Sequence, residues 1–86
     1  MPEISRFYGI VIRMYYDDHN PPHFHAHYGK NSAVIKISDF AVLEGHLPPK
    51  AIGLVTEWAS LHKEELLKDW ELARTMKELF MIDPLN

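Results

Sequence analysis

The order of hydrophobic periods along the chain predicts an α+β fold, an antiparallel sheet of three to four strands packed on two C-terminal helices. Up to Leu47-Pro48-Pro49, apolar residues recur at every second position, the pattern of strands with one buried face. Turn-forming residues at Asp17–Pro22 and Gly29–Asn31 separate these stretches from one another. Beyond the two prolines the apolar residues recur at helical spacing instead.

Phe7 to Tyr16 reads as the first strand, rich in β-branched and aromatic residues. Its even positions, Tyr8, Ile10, Ile12, Met14 and Tyr16, are apolar and face the core, which leaves Gly9, Arg13 and Tyr15 on the other side. Asp17 to Pro22 is a loop, because its two prolines cannot donate to a ladder. His23 to Tyr28 is the second strand, with Phe24, Ala26 and Tyr28 on one face and His23, His25 and His27 on the other. Gly29-Lys30-Asn31 turns the chain into a third strand over Ser32–Ser38, with Ala33, Ile35 and Ile37 inward. Phe40 to Leu43 adds a short fourth.

Pro49 suits the first turn of a helix. Ile52, Val55, Trp58 and Ala59 form one apolar stripe, and Leu66, Leu67, Trp70, Ala73 and Met76 form another. One unbroken helix from Pro49 to Phe80 would run ~48 Å, too long for so small a sheet. Two helices meeting near Ser60–Lys63 are expected, in a single domain with its sheet over residues 4–44 and its helices over 49–80.

Composition narrows the function classes. A chain of 86 residues has a thin core, so contacts with a partner or a second copy would add appreciably to its stability. Cysteine is absent, which excludes disulfides and thiolate zinc sites and leaves His, Asp and Glu as metal ligands. No basic signal region or long apolar run stands out, and a cytoplasmic protein without a membrane span is expected. A net charge of −3 argues against a protein built mainly to grip nucleic acid. Five of the six histidines lie in residues 1–47, which become basic if those histidines protonate.

The histidine strand carries the chemistry. With Phe24, Ala26 and Tyr28 facing the helices, His23, His25 and His27 share the outer face with Arg13, Tyr15 and Lys36. Side chains two apart on a strand stand ~6.6–7 Å apart, so two imidazoles can lean onto one ion at about 2.0–2.1 Å, as zinc requires. His23 with His25, or His25 with His27, meets that condition; a third ligand would come from His19, Asp17 or Asp18 in the adjoining loop. The same residues suit metal-free chemistry, with His23 and His25 exchanging protons, Arg13 binding a phosphate and Tyr15 stacking on a base or donating a proton. They equally suit a protein–protein contact or a solvated surface.

The remaining candidates read as structure. His46 and His62 are ordinary loop and helix-surface residues, and Trp58 and Trp70 lie on core stripes. Lys63-Glu64-Glu65 and the neighbouring Lys68, Asp69 and Glu71 allow i,i+4 pairs such as Glu64–Lys68 and read as a solvated helix face. Arg6 and Arg13 are the strongest anion contacts, although each also covers apolar surface with its stem. No phosphate loop, nucleophile elbow or paired-carboxylate signature is present.

The stretches ISRFYGIVIRMYYDDHNPPHFHAHYG, VLEGHLPP and LVTEWASLHKEELLKDWELA resemble the small bacterial family called domain of unknown function (DUF) 4160. The resemblance runs from about Ile4 to Ala73, and DHNPPHFHA is its most specific part. The family pattern falls on Arg6, Tyr8, Gly9 and Tyr15, and then without a gap on Asp18 to Ala26; it is loose at His27 and lost after Arg74, so Met76–Asn86 receive no function. The resemblance implies a short cytosolic protein encoded beside another small protein, an arrangement similar to toxin–antitoxin modules.

Two functions are therefore expected. The first is an interaction module that binds a cognate small protein, with self-association or RNA as further partners and no membrane. The alternative is a histidine-dependent site, either metal-binding or cleaving RNA or another phosphodiester as a nuclease. There His23 and His25 act as ligands or acid–base groups, Arg13 as anion clamp, Tyr15 beside them, and Asp18 or His19 as third ligand to a divalent ion such as zinc. A plainer role for Asp18-His19-Asn20-Pro21-Pro22 is to fix a tight turn through side-chain-to-backbone hydrogen bonds.

Overall fold

The structure, a computed structural model, describes residues 2–86. Five strands, β1 (Glu3–Phe7), β2 (Ile10–Arg13), β3 (His23–Tyr28), β4 (Asn31–Lys36) and β5 (Val42–Gly45), are followed by α1 (Pro49–Leu61) and α2 (Lys63–Arg74). The strands form one antiparallel sheet in chain order. The class is the expected α+β, with one strand more than expected.

That strand arises because Phe7–Tyr16 is not continuous. Tyr8 and Gly9 both have positive φ, 49° and 79°, and Phe7 pairs with Ile10, so two residues close a hairpin. Turns with two positive φ values match the twist of the strands they join. Ile10, Ile12 and Met14 keep the inward phase and are fully buried. Tyr8 swings out in the turn and Tyr16 lies past the strand end; both are exposed, against expectation. Phe40 has φ 63° in the turn after β4, so the last strand begins at Val42 instead.

Trp58 is the pivot between the layers. Its ring lies 5.3 Å from Phe7 and 5.9 Å from Phe24, which joins the inner sheet face to α1. The helices break at His62, as their length required, and the Lys63 ammonium donates to the Ser38 carbonyl at 2.8 Å. The stripes are phased slightly differently from expectation. Ala51 is buried and Ile52 only partly so, while Leu67 and Met76 are exposed.

Asp69, expected on a solvated helix face, is instead buried in the core, since it falls on the inward stripe of α2 with Leu66, Trp70 and Ala73. It is 0% exposed; one carboxylate oxygen accepts the Phe80 N–H at 3.1 Å and the other has no partner. Burial pushes its carboxyl up to about 6, with Glu65 adding to the rise and the Phe80 N–H opposing it.

α2 ends at Arg74 and not at Phe80, because Met76 takes φ 60° and the chain doubles back. The segment after it closes the fold. The Ile82 side chain is buried and its N–H donates to the Ile4 carbonyl at 2.7 Å, while the Asp83 carbonyl accepts the Trp58 indole N–H at 2.8 Å. Among the described residues, no helix is long and apolar enough to cross a membrane.

Candidate metal centre

Two elements bring the site together. β3 sets His23 and His25 two positions apart, and the loop from Arg13 to His23 folds Asp18 back over them. The loop is held by the Asp17 N–H, which donates to the Ala73 carbonyl of α2 at 3.2 Å, and its Asn20–Pro21 peptide is cis. α2 also places Trp70 against the His23 ring, 5.0 Å between centroids. His23 is therefore buried, at 5% exposure, and does not stand on an open sheet face as the alternation suggested.

The hydrogen bonds of His23 define its chemistry. Nδ1 lies 2.7 Å from the Pro21 carbonyl oxygen, and Nε2 lies 2.8 Å from Asp18 Oδ2. A carbonyl only accepts, so Nδ1 carries the hydrogen. Nε2 of a neutral ring then presents its lone pair to a carboxylate oxygen, two acceptors face to face. Either a second proton or a cation must lie between them. An imidazole whose far nitrogen donates to a carbonyl is the usual arrangement of a metal-ligating histidine.

His25 completes the group. Its Nε2 is buried without a hydrogen-bond partner and lies 3.6 Å from Asp18 Oδ2, and Tyr15 packs edge-on against its ring at 4.4 Å. The donor atoms of Asp18, His23 and His25 all lie within 4.8 Å of one another. Two ligands bound tetrahedrally at zinc distances stand roughly 3.3 Å apart. The 2.8 and 3.6 Å separations bracket that value.

The charge states suit ligation. Burial alone would raise Asp18, but the His19 N–H and then the His23 and His25 imidazoles outweigh it and hold the carboxyl below its ordinary value. Burial, and next the neighbouring His23, hold His25 below its ordinary value against the pull of Asp18. Burial first and Arg13 second do the same for His27. A carboxylate beside a neutral imidazole is what a divalent cation takes.

The group lines a cleft of about 350 Å³. His19 stands at its mouth, with Nδ1 3.1 Å from Asp18 Oδ1 and a side chain 92% exposed. Val34, Leu43 and Glu44, from the two strands beyond β3, also line the cleft. Arg13 pairs with His25 across β2 and β3 but does not line the cleft, and its buried Nε has no partner. His27 lies one strand repeat further on, with Nε2 likewise buried and unpartnered. Asp17 is spent on the loop, its side chain exposed. His62 bonds Glu65 at 2.6 Å at the helix junction, away from the site.

Two residues escaped the reading from sequence. Glu44 is in register with Val34, which is in register with His25, so the three share a cross-strand row. Only the register reveals this. Asp69 could have been found from its place among Leu66, Trp70 and Ala73 on the buried stripe of α2.

An α+β meander with two histidines on its third strand and a carboxylate from the preceding loop is thus the class that fold and site define. Residues 9–71 match Domain of unknown function (DUF4160), and the chain belongs to that family. No curated protein and no solved structure matches it.

Proposed function

We propose that this protein binds a divalent cation, zinc or an ion of similar preference, through Asp18, His23 and His25, as the working centre of a small bacterial cytoplasmic protein. One observation carries the proposal. The Pro21 carbonyl claims the His23 Nδ1–H and turns Nε2 toward the Asp18 carboxylate, beside the unpartnered His25 Nε2. Three protein ligands beside an open cleft match sites that keep a coordination position for water or substrate, as hydrolytic zinc does. The test is a zinc titration of tag-free protein followed by NMR of the histidine side chains. One-to-one saturable shifts at His23 and His25, abolished in the His23→Ala/His25→Ala variant, are expected. Absence of any saturable shift would remove the reading.

A second reading has its own support. β5 is an edge strand with all four residues exposed, Val42 and Leu43 among them, and an unpaired strand edge is a template for another chain. With the two-gene arrangement that the family resemblance implies, this favours a cognate small protein as partner in a toxin–antitoxin-like pair. Size-exclusion chromatography of the chain with the product of the adjacent gene tests it. Two separate peaks at micromolar concentration would count against a complex.

A further inference from the structure

The cleft holds a second carboxylate that the three-residue cluster does not use. Glu44 comes from β5, the strand furthest from Asp18 in the chain order of the sheet, and its exposed side chain lines the cleft on the same sheet face as His25. Its place is fixed by register: Glu44 pairs with Val34 and Val34 with His25. Neighbouring strands stand about 4.8 Å apart, so Glu44 lies roughly 10 Å from His25, backbone to backbone. A half-buried Val34 side chain fills the interval. Glu44 is not among the donors, from Asp18, His23 and His25, that sit within 4.8 Å of each other. It borders the same cleft, two strands along the sheet from His25.

Gly45 makes this placement rigid. It has φ 79°, and a Cβ there would collide with the Ser32 carbonyl oxygen, so the backbone of β4 approaches as closely as only glycine allows. The His46 N–H donates to the same Ser32 carbonyl at 2.9 Å. Glu44 is thus presented by a backbone tied to β4 on its following residues.

The charges around the cleft select the substrate. Its lining includes two carboxylates, Asp18 and Glu44, and no lysine or arginine; Arg13, the expected anion clamp, lies outside it. A divalent cation would be matched in charge by the two carboxylates, beside apolar walls from Pro21, Val34 and Leu43. The neighbouring cations, Lys36 in register with His23 and Arg13 in register with His25, do not line the cleft, so no lining side chain offers a phosphate a Lys or Arg partner.

Resting on the metal-site reading, we infer that Glu44 is the proton-accepting residue of this cleft and that its substrate is an uncharged carbonyl compound, an ester or amide. The oxygen of a water attacks the carbonyl carbon, and the proton it loses passes to a Glu44 oxygen. The carbonyl π pair moves onto oxygen, and a cation held by Asp18, His23 and His25 would supply the positive charge that stabilises it. When the pair returns, the bond to the leaving alcohol or amine breaks, and the leaving group takes the proton from Glu44. Every atom is accounted for and no oxidant or reductant enters.

The test compares wild type, Glu44→Gln and His25→Ala, each with one equivalent of zinc, on p-nitrophenyl acetate and on bis(p-nitrophenyl) phosphate. Zinc affinity is followed in parallel by competition with a chromophoric chelator. Glu44 is exposed, so its substitution leaves the fold intact. The expected result is zinc-dependent acetate hydrolysis that falls about 100-fold or more in Glu44→Gln, with zinc affinity within about twofold of wild type and the rising acidic limb, due to ionisation of the base, gone from the pH–rate profile. His25→Ala loses affinity and rate together. The inference is overturned if Glu44→Gln keeps its rate, if it loses zinc as His25→Ala does, or if the phosphate diester is the better substrate. Wild type that binds zinc and cleaves neither probe overturns it while sparing the metal site. Wild type that binds no zinc removes the metal site itself.

Discussion

His23 and Asp69 are both buried polar side chains, and they differ in how their atoms are satisfied. His23 has an acceptor at each ring nitrogen, which leaves its Nε2 waiting for a proton or a cation. Asp69 has one bonded oxygen and one orphan, and burial raises its carboxyl from an ordinary 3.8 to about 6. The sign of its effect on stability follows. As pH climbs from about 4 to 6, the unfolded chain gives up this proton while the folded chain keeps it, so the fold loses stability across that window and levels off above it. An asparagine there never titrates. The difference in unfolding free energy between Asp69→Asn and wild type should therefore shift in the variant's favour by on the order of 2–3 kcal/mol between pH 4 and pH 7. Urea denaturation of both proteins at the two pH values measures it; a constant difference would show that Asp69 titrates alike in the folded and unfolded chains.

Among the elements, the segment after α2 does more than its sequence advertises. Ile82 fills the core beside Ile4, the Asp83 carbonyl satisfies the Trp58 indole, and the Phe80 N–H satisfies one oxygen of Asp69. Removing residues 78–86 opens a cavity over Trp58 and strips a buried N–H of its acceptor. A loss of roughly 3–5 kcal/mol is expected from those two effects together. Equilibrium unfolding of the shortened chain checks it, and a loss under about 1 kcal/mol would mean that the segment merely rests on the surface. The β1–β2 turn shows the opposite case. Its Tyr8-Gly9 pair has positive φ at both residues, yet tyrosine at the first position hid the turn inside what looked like one long strand.

At the scale of the whole molecule, a thin core makes ligand binding visible as stability. The donor atoms come from β3 and from the loop that α2 holds, so an ion ties the sheet to the helical layer. At free zinc 100 times its dissociation constant, binding to the folded state alone adds about 2.7 kcal/mol. For a chain of this size that is a rise on the order of 10 °C or more in thermal midpoint. Calorimetry of wild type and of the His23→Ala/His25→Ala variant, each with zinc and with chelator, should show the rise only in wild type. A rise of equal size in the double variant would place the ion elsewhere.

The order of strands and helices, the inward residues Ile10, Ile12, Phe24, Ala26, Ile35 and Ile37, and the break near His62 could all be read from periodicity, because burial on one face imposes a fixed spacing. The same rule brought His23 and His25 to one side of β3 and placed Asp18 near them by chain proximity. Three features needed the folded chain. His23 is buried because Trp70, distant in sequence, packs on it. Glu44 shares a face with His25 only through two strand registers, and a shift of one residue would have turned it to the other face. Arg13 is absent from the cleft although alternation put it beside His25. Local spacing determines which face a side chain takes; which atoms meet across elements is decided by register and helix packing, and these are properties of the assembled fold.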